Sequence, residues 1–86
     1  MALTEDFEAA QARVKQLSKL PNNDELLELY GLYKQATVGD ATGKRPGMLD
    51  LKGRAKYDAW AARRGTDRDA AMQAYVALVE RLAAKD

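Results

Sequence analysis

The 86-residue sequence contains neither cysteine nor histidine. Without cysteine, disulfides, zinc–thiolate sites and thiol nucleophiles are excluded, while the redox compartment is left open. Without histidine, the chain lacks the commonest metal ligand and the usual proton shuttle at neutral pH. No apolar run approaches the roughly 20 residues that a membrane-spanning helix needs. These absences count against an enzyme, so we expect no cofactor, no metal site and no stable membrane insertion.

Composition places the chain among ordinary globular domains, since 47% of its residues are hydrophobic and 31% are charged. At this length we expect a single domain over residues 1–86 with one core. Glu5 and Asp6 stand where a secretory signal would carry basic residues, so the expected location is the cytoplasm. We find no internal repeat and no low-complexity segment, and no apolar stripe is left over for self-association, which favours a monomer.

Charge is nearly balanced overall, with a formal net charge of +1, so bulk electrostatics identifies no partner. Its distribution is uneven. Between residues 44 and 56 a single carboxylate, Asp50, stands among five cations: Lys44, Arg45, Lys52, Arg54 and Lys56. This local excess of positive charge suits a multivalent anion.

Apolar residues recur at helical spacing in the first half of the chain. Phe7, Ala10, Val14 and Leu17 predict a first helix from about Thr4 to about Ser18, which Pro21 ends. Asparagines 22 and 23 offer capping groups for a second helix that begins near Glu25 and stops near 37–39.

The second half of the chain predicts two more helices after a long loop. Residues 39–50 have no helical period and carry repeated turn signals. Asp50 is the expected cap of the third helix, which Gly65 closes. Thr66, followed three residues later by Asp69, predicts the start of the fourth helix. No strand pattern occurs, so the predicted fold class is all-α with four helices.

Two groups of side chains suit a nucleotide. Tyr30, Tyr33 and Lys34 lie on the second helix, and Lys52 and Lys56 lie four residues apart on the third. Tyrosine rings offer an apolar face for a purine, and lysines offer charge for phosphates. The alternative is that the tyrosines belong to the core and the lysines to an ordinary solvated surface.

Two further residues carry structural interpretations. We interpret Trp60 as a core anchor, because a buried indole contributes much of a small domain's stability. Gly31, in the middle of the second helix, costs roughly 1 kcal/mol relative to alanine. Either its missing side chain allows a close approach, or the helix tolerates a modest defect.

Longer stretches of the sequence resemble one family. One long run extends from Tyr30 to Asp40 and continues through 45–50 to 52–60, and a shorter one extends from Ala71 and Met72 to Tyr75. Both runs closely resemble the acyl-CoA-binding protein family. The resemblance implies an up-down-down-up four-helix bundle, with the long loop joining two parallel neighbours. It also implies that the chain binds long-chain fatty acyl-CoA esters as a carrier and buffer, without catalysis. Transient contact with enzymes that use acyl-CoA is a further implication.

The family's ligand-contacting positions fall, by this resemblance, on seven residues of the expected types: Lys15, Tyr30, Tyr33, Lys34, Lys52, Lys56 and Tyr75. The resemblance implies that Tyr30, Lys34 and Lys56 gather the 3′-phosphate of CoA. It implies that Tyr33 lies against the adenine, that Lys15 and Lys52 assist with other polar groups, and that Tyr75 borders the acyl chain. Near these positions the sequence departs from the family's commoner residues at four places: Gly31, Leu32, Arg54 and Tyr57. These departures bear on chain-length preference and on affinity.

Two other functions compete with acyl-CoA binding. Hydrolysis or transfer of an acyl group would need an activated nucleophile, and the chain has no histidine to activate Ser18 or its threonines. A small helical nucleic-acid-binding or protein-interaction domain is the second alternative. The nearly neutral total charge argues against nucleic acid as a partner, because such domains usually carry a strong basic surplus.

Overall fold

Four α-helices make up all the regular secondary structure of residues 2–86, the part of the chain that the computed structural model describes. The all-α class is therefore confirmed. The helices are α1 (Leu3–Val14), α2 (Asn23–Thr37), α3 (Leu51–Ala61) and α4 (Arg68–Lys85).

Short polar side chains begin three of the helices. Asn22 and Glu25 form a reciprocal capping box at α2, in which each side chain accepts from the other residue's backbone N–H at 2.8 Å. Asp50 caps α3, as predicted, by accepting from the Gly53 N–H at 3.0 Å. The prediction that Thr66 caps α4 is wrong. Asp67 has the extended backbone of a cap residue, and its carboxylate accepts from the Ala70 N–H at 2.7 Å.

The end of α1 also differs from its prediction. The helix stops at Val14 and not near Ser18. A tertiary contact accounts for the difference, because the Asp86 carboxylate accepts hydrogen bonds from the backbone N–H groups of Ser18 and Lys19 at 3.0 and 2.9 Å. These bonds use N–H groups that a longer helix would have turned toward its own carbonyls.

Cross-helix pairs establish the directions of the helices. On α2 and α3, Tyr30 lies beside Lys56 and Lys34 beside Trp60, so the two helices run parallel. On α2 and α4, the pairing is reversed, because Glu25 approaches Lys85 while Glu28 approaches Arg81. On α1 and α4, Thr4 lines the same cavity as Met72 and Arg13 the same cavity as Glu80, so these helices are parallel. The order is up-down-down-up, as the resemblance implied.

The main core lies where α4 packs against α1 and α2. Each of the three helices contributes buried apolar residues to it: Phe7, Ala10, Leu29, Leu32, Ala36, Ala71, Met72, Tyr75, Leu78, Val79 and Leu82. Trp60 lies outside this cluster but is also buried, and its indole N–H donates to the Gly39 carbonyl at 2.6 Å. Its predicted burial is confirmed, but it ties α3 to the loop after α2 and does not join the main core.

Gly31 permits a close approach of two backbones. A Cβ at this position would collide with the carbonyl group of Ala59 on α3. The side chain is therefore missing because α3 occupies its space, which decides between the two interpretations of this glycine. The short distance between α2 and α3 allows side chains from each helix to reach over the other.

Candidate ligand-binding site

An apolar groove of about 330 Å³ runs along the surface between the start of α2 and the helices α1 and α4. Four of the seven predicted ligand positions line this groove: Lys15, Tyr30, Tyr33 and Tyr75. Its remaining wall is formed by aliphatic residues and a proline: Val14, Leu20, Pro21, Leu26 and Leu29. The groove is open to solvent along one side, because Leu20, Leu26 and Tyr33 are all exposed.

Three aromatic rings pack together at the groove, where Phe7 contacts the lining residues Tyr33 and Tyr75. The Phe7 ring meets Tyr75 edge to face, with ring centroids 5.0 Å apart, and lies 6.1 Å from Tyr33 in a stacked arrangement. These geometries are the preferred ones for aromatic pairs. Tyr75 is only 5% exposed, whereas Tyr33 is 38% exposed. Tyr75 therefore belongs to the core and to the groove wall, and Tyr33 offers a free ring face.

Burial also favours the neutral form of Tyr75 in the groove wall. Loss of solvation raises the pKa of the Tyr75 hydroxyl, and the neighbouring Tyr33 raises it further. Since a tyrosine is neutral below its pKa, Tyr75 presents a neutral hydroxyl at physiological pH. An apolar chain in the groove would meet no phenolate.

A second cavity also has Tyr33 in its wall. It has a volume of about 430 Å³ and is bounded by residues of α1, α2 and α4: Thr4, Phe7, Glu8, Gln11, Tyr33, Ala36, Thr37, Arg68 and Met72. Tyr33 lines both cavities, whereas Phe7 lines only this second one. The same exposed tyrosine ring is thus accessible from both.

Two lysines cross the seam between α2 and α3. The Lys56 ammonium lies 5.6 Å from the centre of the Tyr30 ring, and the Lys34 ammonium lies 4.8 Å from the centre of the Trp60 ring. Each pair joins one helix to the other, and both pairs are within cation–π range. We call Tyr30, Lys34, Lys56 and Trp60 the cationic seam. Tyr30 belongs to both the seam and the groove, so the charged and apolar regions are continuous.

Lys15 and Lys52 occupy the flanks of this arrangement. Lys15 is the residue that ends α1 and it lines the groove, whereas Lys52 lies on the first turn of α3, one turn before Lys56. Within residues 2–86, none of the four predicted lysines has a carboxylate within ion-pairing distance. Their charge is therefore not neutralised by the protein.

The basic stretch at 44–56 is weaker than its sequence indicates. Arg45 makes a bidentate pair with Asp58, its Nε and Nη2 donating at 2.9 and 2.7 Å. The guanidinium hydrogen bonds lower the pKa of Asp58 and hold it ionised. One of the five cations is thus already paired, which weakens the case for a nucleic-acid surface.

Several residues at the site were not identified from the sequence. Trp60 was interpreted only as an anchor, yet its ring also lies under the Lys34 ammonium. Pro21 is predicted only to end a helix, yet it is buried and lines the groove beside the exposed Leu20. An available signal was Leu20 itself, a large apolar residue between Lys19 and the helix-ending Pro21.

The family model described as acyl CoA binding protein matches residues 4–79. The chain belongs to the acyl-CoA-binding protein family. It is 57% identical over 83 residues to acyl-CoA-binding protein homolog 1 of Caenorhabditis elegans, covering 96% of each chain. It is 51% identical over 83 residues to the acyl-CoA-binding protein homolog of Drosophila melanogaster, again covering 96% of each chain.

A solved structure of the same family shares the fold. The crystal structure of acyl-CoA-binding protein 2 from Oryza sativa superimposes with a TM-score of 0.92 at 44% sequence identity, covering 96% of this chain and 90% of that one. The family resemblance seen in the central run of the sequence and the bundle expected from it are both confirmed. Within residues 2–86, no helix has the length and apolar character that crossing a membrane requires.

Proposed function

We propose that this protein binds long-chain fatty acyl-CoA esters and serves as their carrier and buffer without altering them chemically. The observation that carries the proposal is the continuity of an apolar groove with the cationic seam through Tyr30. An acyl-CoA joins a polyanionic nucleotide to a hydrocarbon tail, and it needs both kinds of surface side by side. Membership of the acyl-CoA-binding protein family supports the same conclusion.

The cationic seam takes the phosphates in this proposal. Lys34 and Lys56 hold the 3′-phosphate with the Tyr30 hydroxyl, and the adenine lies on the exposed face of Tyr33. Rings beneath the two ammonium groups favour conformations in which each lysine is already placed over the seam. Charge-assisted hydrogen bonds to phosphate are stronger than neutral ones, so the seam selects the nucleotide class. Lys15 and Lys52 contribute further positive charge at the edges.

The groove takes the fatty tail. Each buried methylene contributes up to about 0.8 kcal/mol, before the costs of ordering the chain are subtracted. A long tail therefore supplies more of the binding free energy than the head does, and the neutral Tyr75 forms part of its wall. Covering the tail lowers the free concentration of a detergent-like metabolite. Binding without catalysis fits a chain that has no cysteine or histidine to attack the thioester.

Isothermal titration calorimetry tests this proposal directly. Palmitoyl-CoA should bind far more tightly than free CoA, and palmitate without CoA should also bind less tightly than palmitoyl-CoA, because each fragment engages only part of the site. A parallel assay of free thiol release should detect no hydrolysis beyond that in buffer. Equal affinities for palmitoyl-CoA and free CoA would refute the division between groove and seam.

The setting of this activity is also part of the proposal. We infer a cytoplasmic monomer in which residues 1–86 form one domain, with only transient contacts to enzymes that use acyl-CoA. The shared core of three helices supports a single unit. Cell fractionation measures the location, and a membrane-embedded pool would contradict a cytoplasmic protein. Sedimentation velocity measures the oligomeric state, and a stable dimer would contradict a monomer.

A further inference from the structure

Three large apolar side chains lie in solvent at the turn that leads into α3. Met48, Leu49 and Leu51 are 78%, 101% and 75% exposed. Side chains of these types usually lie inside a small domain, and exposed apolar groups that cluster mark interaction surfaces. The turn is closed by a hydrogen bond from the Asp50 N–H to the Gly47 carbonyl at 3.0 Å. We call Met48, Leu49 and Leu51 the apolar turn.

The loop that carries the apolar turn is held in place from both sides. Before the turn, Arg45 is paired with Asp58 of α3, and the Tyr57 hydroxyl donates to the Gly43 carbonyl at 3.1 Å. After the turn, the Asp50 carboxylate caps the helix. These contacts hold the backbone on both sides of the turn, and in this conformation the three side chains are exposed.

Cations border the apolar turn on both sides. Lys44 precedes it, and Lys52 follows Leu51 directly, with Lys56 one helical turn beyond. The one carboxylate in this stretch, Asp50, accepts from the backbone at the helix start. Exposed apolar side chains with lysines close to them in the sequence complement the interface of an anionic membrane, where acyl chains lie beneath negatively charged headgroups.

We propose that the apolar turn docks the protein reversibly on the surface of an anionic phospholipid membrane. The biological consequence rests on the proposed function, because two candidate phosphate ligands, Lys52 and Lys56, lie immediately behind the turn. Docking brings the cationic seam to the surface in which the tails of long-chain acyl-CoA molecules dissolve. The contact is peripheral, since three side chains enter the interface and no helix within residues 2–86 spans it.

Vesicle flotation of the ligand-free protein tests the proposal. Vesicles of phosphatidylcholine with phosphatidylserine are compared with vesicles of phosphatidylcholine alone. The triple variant Met48→Ser, Leu49→Ser, Leu51→Ser should lose about tenfold or more in affinity for the anionic vesicles. Val38→Ser is the matched control, because it removes an exposed apolar side chain at the end of α2 and should float like the wild type.

Charge is tested separately from apolar contact. Lys44→Gln should weaken binding to the anionic vesicles by about fivefold, and added salt should weaken binding of the wild type. Vesicles of phosphatidylcholine alone should bind the wild type much less than the anionic vesicles. Circular dichroism checks that the triple variant is folded, and Leu49→Ser alone repeats the comparison if it is not.

Several results would overturn the inference. Flotation of the triple variant at the wild-type level, or no flotation of the wild type, would exclude membrane docking through this turn. Loss of self-association in the triple variant would identify the turn as a contact between copies of the chain. Loss of palmitoyl-CoA affinity without vesicles would place the turn in the ligand site. Because flotation uses no acyl-CoA and calorimetry uses no membrane, failure of this inference is distinguishable from failure of the proposed function.

Discussion

Replacing Lys56 by alanine removes an ammonium that projects from α3 over the Tyr30 ring. Lys34→Ala makes the equivalent change on α2, where the ammonium lies over Trp60. In the free protein each change removes a cation–π contact worth about 0.5–1 kcal/mol, and neither removes an ion pair. The fold should therefore be little affected.

In the complex with palmitoyl-CoA, each substitution removes a stronger interaction than in the free protein. A hydrogen bond between an ammonium and a phosphate contributes about 1.5–3 kcal/mol, so each variant should bind palmitoyl-CoA about 10- to 150-fold more weakly. Calorimetry at low ionic strength measures the difference, which should shrink as salt screens the charges. Lys44→Ala is the matched control, because it removes one charge from the same basic stretch but outside the seam.

A modified ligand identifies which phosphate the seam contacts. Palmitoyl-CoA without its 3′-phosphate should bind the wild type more weakly, while the two lysine variants should lose little further affinity for it. Full additivity of the protein and ligand changes would show that Lys34 and Lys56 contact other groups. Wild-type affinity in both lysine variants, or an equal loss in Lys44→Ala, would refute the clamp itself.

Three further predictions concern stability and the groove. Gly31→Ala should destabilise the fold by about 1–3 kcal/mol in urea unfolding, because its Cβ collides with α3, whereas Gly47→Ala, which has open space, should not. Tyr75→Phe should keep stability and palmitoyl-CoA affinity near wild type, since the ring does the packing, whereas Tyr75→Ala should cost about 3–5 kcal/mol of stability. Asp40 accepts from the Gly65 N–H and the Gln35 amide, and these bonds lower its pKa. Its contribution to stability is present above about pH 4 and is lost as the pH falls through the lowered pKa, so Asp40→Asn should flatten the acid limb of thermal unfolding.

Each of these predictions has a clear contrary result. Equal unfolding midpoints for Gly31→Ala and Gly47→Ala would show that α2 and α3 separate at little cost. A large loss of ligand affinity in Tyr75→Phe would assign the hydroxyl a direct ligand contact. An unchanged acid limb in Asp40→Asn would show that its carboxylate titrates alike in the folded and unfolded chain.

Local sequence accounts for much of the fold. The apolar period of 3.6 residues, the Asp50 cap and the turn signals after Thr37 require no knowledge of distant residues, and helices form where they predict. The predicted helix ends are wrong where a residue distant in the sequence makes a contact. The end of α1 is displaced by the Asp86 carboxylate, which lies at the far end of the chain. The start of α4 was misassigned between two adjacent capping residues that local pattern does not separate.

The site divides in the same way. Family resemblance identified the seven ligand-contacting positions. Helical spacing alone predicted that Tyr30 and Lys34 lie one turn apart on the same helix. Sequence by itself did not determine that Lys34 would lie over Trp60, that Gly31 would bring α3 so close, or that Leu20 and Pro21 would complete a groove. Those contacts join residues far apart in the chain. They depend on how the helices cross, and packing of the whole bundle decides that crossing, not the period of any one helix.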